Sequence, residues 1–358
     1  MKATKKLHDV GQSLWIDDIT RDMLDSGTLR KYIDEMSVTG LTSNPTIFDK
    51  AISKSDWYDE GIIRLMKTGL KGEELFFELA LEDLSRAADL FLPVHRRTAT
   101  VDGWVSLEVS PLLAYDTKAT IEEAKRLYQK AGKENLFIKI PGTKEGLPAI
   151  EESIFSGVTV NVTLLFSASD YSAAADAYMK GLERRVEAGL SPDVRSVASV
   201  FISRWDKAIM DKMPDALRDK LGIAVAKQAY KAYREVLESD RWQRLESLGA
   251  RPQRLLFAST STKDPKAPDT MYISALAAPN TVNTMPDETL LAFADHGAVG
   301  SVLDAHGGDS EKILAEYASA GVDVDALGRQ LQVEGAKSFV KSWQDLLASI
   351  ETKSKALT

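Results

Sequence analysis

The sequence of 358 residues has no cysteine, which excludes disulfides, thiolate metal sites and catalysis by a thiol. Histidine is also scarce: its four positions are His8, His95, His296 and His306, and they include no close pair of the kind that holds zinc. We interpret His296 in "ADHGA" and His306 in "DAHGG" as loop or helix-end residues. No metal is therefore expected. A chain without cysteine suits a reducing compartment, and we predict a cytoplasmic protein.

Long apolar runs and an excess of basic residues are missing as well. No apolar run reaches the ~18 residues that a membrane span needs, and the start of the chain, "MKATKKLHDVGQSLW", lacks the apolar core of a signal peptide. The net charge of -8 argues against binding to nucleic acid, which requires a basic face. A local basic pocket for a phosphorylated metabolite is still compatible with this charge.

What the sequence does contain is a regular alternation of short apolar runs with longer amphipathic ones. A hydrophobic content of 44% is ample for one large core. The short runs predict eight strands, at 13–17, within 37–45, and at 103–109, 136–140, 158–161, 197–203, 254–259 and 281–285. The amphipathic runs predict helices, the clearest at 72–92, 120–131, 169–189 and 224–238.

Two of these helices carry boundary signals. Pro93 predicts the end of the helix at 72–92, because proline lacks the N–H that an interior helical position requires. Thr120 and Glu123 have the spacing of a capping box, which predicts a helix start, and Gly132 predicts the end of that helix.

Strands that alternate with helices pair in parallel, and eight such units predict a single (β/α)8 barrel domain over residues 1–358. An open doubly wound sheet is the structural alternative, but no G-x-G-x-x-G or Walker A pattern supports a nucleotide-binding version. A minimal barrel does not need the stretch 45–92 or the tail 310–352, so we expect additional helices there. The tail is expected to cover one mouth of the barrel.

The stretch "ENLFIKIPGT" places a lysine, Lys139, inside an apolar strand that ends at Pro-Gly. In one interpretation this lysine lies at a strand end or edge and extends to water. In the other it points into the barrel near the catalytic mouth. Burial there disfavours an ammonium group, and a neutral amine can attack a ketone to form an iminium.

Polar residues recur at the other predicted strand ends. Three of them are alternatively helix caps (Asp17, Asn44 and Asn161), and Glu108 is alternatively a surface strand residue. Together the set supplies carboxylates for proton transfer and amide or hydroxyl groups for a polyol substrate: Asp17, Thr42, Asn44, Glu108, Asn161, Thr163 and Ser199.

At these residues the sequence resembles the transaldolase family. The segments "GLTSNPTIF", "FIKIPGT", "VTVNVTLLFS" and "VASVFISRWD" resemble its motifs in order and spacing, and the likeness covers roughly residues 13–290. "SLWIDDITR" and "LAAPNTVNTMP" resemble the bacterial branch that includes cyanobacterial and actinobacterial members. The resemblance implies transfer of a dihydroxyacetone unit from sedoheptulose 7-phosphate to glyceraldehyde 3-phosphate. It implies no cofactor.

The resemblance also implies catalytic roles. Lys139 forms the iminium with the donor ketone. Glu108 and Thr163 hold the water used in proton transfer. Asp17 is the general acid/base for carbon–carbon cleavage.

A homo-oligomer is compatible with the family, whose members occur in several assembly states.

For substrate binding, the resemblance implies that Asn44 and Asn161 hold the dihydroxyacetone moiety and that Thr42, Ser199 and Phe201 lie beside it. Arg204 resembles the ligand of the substrate phosphate, although by residue type alone a helix-surface arginine is the simpler interpretation. Many relatives have a second arginine after a Ser-Phe pair, but this chain has "FASTSTKDP". Ser259 and Lys263 are the expected replacements.

Several alternatives remain open at this point. A fructose-6-phosphate aldolase shares the barrel and the lysine. By resemblance, however, that branch has glutamine where this chain has Glu108 and tyrosine where this chain has Phe201. A metal-dependent aldolase lacks its histidines here, and a pyridoxal-phosphate enzyme lacks its glycine-rich phosphate cup. A barrel without catalytic activity, acting as a binding protein, is the alternative from another functional class.

Overall fold

The computed structural model describes residues 2–357. Its sheet is a closed, all-parallel barrel in which each strand pairs with its neighbours in chain order. The strands are β1 Gln12–Ile16, β2 Val38–Leu41, β3 Trp104–Glu108, β4 Leu136–Pro141, β5 Val160–Leu165, β6 Ser196–Phe201, β7 Arg254–Ala258 and β8 Thr281–Met285. The predicted (β/α)8 barrel is confirmed, and the open doubly wound sheet is wrong.

Helices surround the barrel and fill the longer connections. Within residues 2–357 they are α1 Ala3–Asp9, α2 Arg21–Asp25, α3 Thr28–Met36, α4 Pro45–Lys54, α5 Asp59–Met66, α6 Gly72–Arg97, α7 Thr117–Ala131, α8 Gly146–Phe155, α9 Ala168–Glu187, α10 Ser203–Ile209, α11 Leu221–Glu238, α12 Asp240–Ser247, α13 Met271–Ala275, α14 Asp287–His296, α15 Ser310–Ser319 and α16 Val324–Ala356. None of them combines the length and apolarity of a membrane span. The additional helices expected at 45–92 and in the tail are present.

Helix α6 does not end at Pro93, so that predicted boundary is wrong. Proline at this position removes only one hydrogen bond of the last turn. The turn beyond it is held by tertiary packing, because Val94 and His95 are buried and His95 Nδ1 lies 2.8 Å from the Asp102 carbonyl oxygen.

Helix α7 begins before the predicted capping box, which is therefore also wrong. Its cap is Asp116, whose side chain accepts a hydrogen bond from the Ala119 N–H at 3.0 Å. Thr120 lies inside the helix, and its hydroxyl donates to the Leu113 carbonyl at 2.9 Å. The predicted end is confirmed, since Gly132 adopts the left-handed conformation with φ 56°.

Alternate residues of each strand point into the barrel, where they form layers. The layer near the amino-terminal strand ends is aromatic: Phe137 stacks on Trp104 with ring centroids 4.1 Å apart and lies 6.2 Å from Trp15. A side chain on Gly40 would have no room, because a Cβ there would come within 2.6 Å of the Trp15 ring. Polar side chains occupy the layers above, so the aromatic layer closes the barrel beneath them.

Helix α16 covers the opposite mouth, as expected of the tail. Gln332 donates hydrogen bonds to the carbonyl of Gly142 at 3.2 Å, just beyond β4, and to that of Leu164 at 3.0 Å, near the end of β5. Gly335 permits this close approach, because a Cβ there would lie 2.9 Å from Leu164 and 3.2 Å from the Arg204 guanidinium. The helix therefore contributes side chains to the space above the barrel.

The close contact at Gly40 generates a stability prediction. Gly40→Ala should lower the free energy of unfolding by about 1–3 kcal/mol, since the added methyl group would overlap the Trp15 ring. Urea unfolding measures the change. A Trp15→Phe exchange makes room, so the two substitutions should be non-additive in a double-mutant cycle. Additive effects would contradict the steric explanation.

Candidate active site

A cavity of about 840 Å³ lies at the carboxyl ends of the strands, beneath α16. Ten of the twelve predicted site residues line it: Asp17, Thr42, Asn44, Lys139, Thr163, Ser199, Phe201, Arg204, Ser259 and Lys263. The remaining two, Glu108 and Asn161, lie on strands that flank β4 and are paired in register with Lys139. The fold thus brings all twelve residues to one end of the barrel.

Lys139 points into the barrel, and only 6% of its surface is exposed. Its ammonium group forms an ion pair with Glu108 on the neighbouring strand and donates a hydrogen bond to the Ser43 carbonyl at 2.9 Å. The alternative in which this lysine reaches bulk water from a strand end or edge is therefore wrong.

Glu108 is buried beside Lys139, so the surface-strand alternative is wrong. Burial raises the pKa of the Glu108 carboxyl, and the charge of Lys139 opposes this rise. A small cavity of about 20 Å³ is bounded in part by Glu108, Lys139 and Thr163. Thr163 Oγ1 is buried and has no hydrogen-bond partner within residues 2–357. The cavity has room for about one water molecule.

Asp17 follows β1 and lies on the cavity wall. Its N–H donates to the Met285 carbonyl at 2.8 Å, and its carboxylate accepts from the Thr42 hydroxyl at 2.8 Å. The Thr42 hydroxyl also lies 3.0 Å from that of Thr284. Asp17 is not a helix cap, because Thr20 caps α2. Its carboxylate is instead held at the cavity by Thr42, which follows β2, and its backbone is tied to β8.

The two asparagines differ in their local roles. Asn44 caps α4 by accepting from the Ile47 N–H at 3.2 Å, which confirms the cap interpretation, and it also lines the cavity. Asn161 is a fully buried residue of β5, so for it the cap interpretation is wrong. Its amide donates to Ser106 Oγ at 3.2 Å and accepts from Ser199 Oγ at 2.7 Å.

One end of the cavity is cationic. The Arg204 guanidinium lies over the rings of Phe201 and Phe339, 5.1 and 6.0 Å from their centroids, and burial lowers its pKa. It forms no ion pair with a carboxylate in the described part of the chain. Burial, followed by the charges of Lys207 and Arg204, lowers the pKa of Lys263 at the rim. Arg204 is thus not a helix-surface arginine of the ordinary kind.

Ser259, the other expected replacement for the missing arginine, stands at the same end. Its backbone is left-handed with φ 55°, and its hydroxyl lies 2.9 Å from that of Ser203. This uncommon conformation for a non-glycine residue places it on the wall beside Lys263.

Several cavity residues escaped the sequence reasoning: Asp18, Lys50, Thr284, Asp287, Ser338, Phe339 and Ser342. Phe339 belongs to α16, far from the barrel motifs in sequence. Gly328 and Gly335, one heptad apart, were the available signal, because both allow α16 to contact the barrel closely. Asp18 lies two residues beyond β1 and Thr284 is the penultimate residue of β8, so both were detectable by the rule that found Asp17.

The histidines lie away from this cavity. His296 is the last residue of α14 and is exposed, with Nε2 2.9 Å from Asp269, and His306 lies in a turn. Both positions agree with the loop or helix-end interpretation. Within residues 2–357 no group of three or more acidic or histidine side chains is arranged to hold a metal ion.

A family model and several known proteins are similar to this chain over nearly its whole length. The family model described as Transaldolase/Fructose-6-phosphate aldolase matches residues 14–350. A protein named Transaldolase from Frankia alni is 45% identical over 354 residues, covering 96% of this chain and 95% of that protein. Transaldolase 2 from Streptomyces coelicolor is 45% identical and Transaldolase 2 from a Nostoc species is 40% identical; each alignment covers 99% of this chain and 98% of the relative. The resemblance stated from the motifs is confirmed.

Three carboxylates on the cavity wall, those of Asp17, Asp18 and Asp287, generate a prediction about pH. Burial, followed by the charges of Asp287 and Asp17, raises the pKa of Asp18 from 3.8 to about 6. The folded state therefore favours the neutral form of the Asp18 carboxyl. As a result, the free energy of unfolding falls as the pH rises through 6. Asp18→Asn should raise the free energy of unfolding at pH 8 by up to about 3 kcal/mol, and the gain should shrink toward pH 4.

Urea unfolding between pH 4 and 8 measures this difference. Asp34→Asn, at an exposed position of α3, is the matched control and should show no such trend. A gain in Asp18→Asn that is equal at every pH would contradict the assignment.

Proposed function

This chain belongs to the transaldolase/fructose-6-phosphate aldolase family, and on that premise we propose that it is a transaldolase. It transfers a dihydroxyacetone unit from sedoheptulose 7-phosphate to glyceraldehyde 3-phosphate, and it forms erythrose 4-phosphate and fructose 6-phosphate. The observation that carries this proposal is the buried amine of Lys139, paired with Glu108 at the floor of a cavity that has a cationic end.

Lys139 is the nucleophile. A proton passes from its ammonium group to the neighbouring Glu108, whose raised pKa favours the protonated carboxyl, and this transfer leaves a neutral amine. The amine adds to the donor ketone, and loss of water gives an iminium. Glu108 and Thr163 then hold the water that shuttles protons, as their shared small cavity and the unpartnered Thr163 hydroxyl suggest.

Asp17 is the general base for cleavage. Its carboxylate accepts the proton of the hydroxyl next to the bond that breaks, while the iminium receives the electron pair and becomes an enamine. Thr42 orients Asp17 through their hydrogen bond. In the second half-reaction the enamine attacks the acceptor aldehyde, and Asp17 returns the proton.

Asn44 and Asn161 hold the hydroxyl groups of the three-carbon unit, with Ser199 and Thr42 beside them. Asn161 is pre-oriented by its two hydrogen bonds to Ser106 and Ser199, so little order has to be gained on binding. Asn44 lines the cavity from its position as the N-cap of α4.

Arg204 binds the substrate phosphate, and Lys263 and Ser259 take the place of the second arginine. The Arg204 guanidinium is planar, partly buried and without a carboxylate partner in the described chain, which leaves its donors available to phosphate. The rings of Phe201 and Phe339 fix its plane. Lysine contributes as a point charge.

Glu108 and Phe201 favour transfer over aldol cleavage to free dihydroxyacetone. By resemblance, the aldolase branch has glutamine and tyrosine at these two positions. The enamine must also be kept from stray protonation while it waits for the acceptor. Helix α16 and Phe339, which stand over the cavity, restrict access of water to it.

The cellular context is part of the same proposal. The enzyme acts on sugar phosphates in the cytoplasm, in keeping with a chain that has no cysteine. A single domain over residues 1–358 and assembly into a homo-oligomer stay predictions.

A trapping experiment tests the nucleophile. Borohydride reduction with fructose 6-phosphate should add the mass of one reduced dihydroxyacetone unit to the wild-type chain, and none to Lys139→Met. Transaldolase turnover should fall roughly a thousandfold or more in that variant, since the nucleophile is lost. Lys144→Met, at an exposed position of the adjoining loop, is the matched control and should behave like wild type. An adduct in Lys139→Met would disprove the assignment.

The phosphate assignment has its own test. Lys263→Met and Arg204→Leu should each raise KM for fructose 6-phosphate about tenfold or more, because a charged hydrogen bond is worth about 1.5–3 kcal/mol. Trapping with unphosphorylated dihydroxyacetone should be unchanged in both variants. Lys266→Met, exposed in the same loop, serves as the control. Equal losses with phosphorylated and unphosphorylated ketones would contradict a phosphate role.

A further inference from the structure

A second cavity, of about 420 Å³, opens at the other end of the barrel. Its inner wall is formed by the amino-terminal strand ends, at Trp104, Phe137 and Val197. Its outer wall is formed by the end of α11, by α12 and by the loop at residues 251–254. The volume lies within the range of about 300–1,000 Å³ that is typical of small-molecule sites.

Four arginines line this cavity, Arg195, Arg234, Arg251 and Arg254, against two glutamates, Glu238 and Glu246. Two aspartates outside the lining, Asp102 and Asp193, stand beside Arg254 and Arg195, so the carboxylates do not compensate the four arginines equally. Guanidinium groups gathered in one cavity repel each other unless anions or acceptors balance them. The four arginines differ in how far neighbouring groups compensate them.

Arg254 is engaged in the fold. It donates to Ser13 Oγ at 2.6 Å and to the Thr281 carbonyl at 2.9 Å, and these bonds tie β7 to β1 and β8. Asp102, which accepts from Trp15 at 2.8 Å, lies 4.0 Å from the same guanidinium. This arginine closes the bottom of the barrel and has a structural role.

Arg195 is held on one side only. Its Nε pairs with Asp193 at 2.8 Å, and its terminal nitrogen contacts the Ala99 carbonyl at 3.4 Å and the Thr100 hydroxyl. Only 14% of its side chain is exposed, and burial, opposed by Asp193 and reinforced by the charge of Arg251, lowers its pKa. Arg195 is thus paired with one carboxylate, and its charge also interacts with that of Arg251.

Arg234 and Arg251 have the least compensation. Arg234 Nε is buried and has no hydrogen-bond partner within residues 2–357, and its terminal nitrogen reaches Glu238 only at 3.5 Å. Arg251 forms no ion pair with any carboxylate of the described chain, and it stands exposed at the rim. The exposed donors of Arg251 are therefore available to an oxyanion from outside the protein, whereas Arg234 also interacts with the Tyr230 hydroxyl.

The cavity also offers apolar surface. Leu237 is partly buried, Val101 is 47% exposed at the rim, and the stacked rings of Trp104 and Phe137 form the floor. A ligand that places an anion against Arg251 can rest an apolar or aromatic body against these groups.

We propose that this cavity is a second binding site, which takes a small molecule that joins a phosphate to an apolar or aromatic body. The planar guanidinium fork of Arg251, which has no carboxylate partner in the described chain, suits phosphate oxygens in geometry and charge. The site is separate from the catalytic cavity: Phe137 and Lys139 lie on the same strand, two residues apart, but they face opposite ends of the barrel lumen. The proposal goes beyond the transaldolase activity and does not depend on it.

Isothermal titration calorimetry with 1-naphthyl phosphate tests the proposal on the full chain. The titration is made in the Arg204→Leu background, which weakens anion binding at the catalytic mouth. We expect one saturable site in this background. Adding Arg251→Ala should weaken binding about tenfold or more, through loss of charge-assisted hydrogen bonds. Arg244→Ala, at an exposed position of α12 outside the cavity, is the matched control and should leave binding unchanged.

Two ligand controls separate the parts of the probe, because 1-naphthol lacks the phosphate and inorganic phosphate lacks the ring. Each should bind at least about tenfold more weakly than 1-naphthyl phosphate. Arg251→Ala in the wild-type background should keep its transaldolase turnover, which shows that the variant is folded. Absence of saturable binding, equal binding of 1-naphthol, or binding that survives Arg251→Ala would each overturn the proposal.

Discussion

The burial of the Lys139 amine beside the Glu108 carboxylate is the constraint on which the rest of the structure depends. An ammonium group inside a protein is costly unless it is paired and hydrogen-bonded. The barrel meets this condition by register, since β3 and β4 place Glu108 directly opposite Lys139, and the Ser43 carbonyl accepts a further hydrogen bond. A one-residue slip of β4 would turn Lys139 outward, away from Glu108. The closed sheet therefore fixes the buried lysine and its carboxylate partner together.

The barrel interior changes in character along its axis. Stacked aromatic rings fill the amino-terminal end, with Gly40 as the space for Trp15. Ser106, Asn161 and Ser199 form a hydrogen-bonded polar layer above them. Lys139 borders the cavity beneath α16, and its partner Glu108 borders the small adjoining cavity. The dry aromatic layer keeps water from entering the polar layers from below, while α16 and Phe339 limit access from above. An enamine that must wait for its acceptor needs both barriers.

Much of this arrangement was predictable because strands of a barrel place alternate residues inward and end at a common mouth. A lysine within "LFIKI" and a glutamate within "VSLEV" stand out against their apolar neighbours, and the fold brings them together. Local signals were less dependable where tertiary contacts decide. Pro93 does not end α6, since the buried His95 holds the next turn, and Asp116 rather than Thr120 caps α7. Phe339 could not be assigned to the cavity from its local pattern, because only the docking of α16 brings it to Arg204.

The most direct test of the account is a crystal structure of the chain reduced with borohydride after reaction with fructose 6-phosphate. The account predicts continuous electron density from Lys139 Nζ to the central carbon of a three-carbon unit, with the hydroxyl groups of that unit in contact with Asn44 and Asn161. Density joined to another lysine, or a Lys139 side chain that remains unmodified beside Glu108, would contradict it.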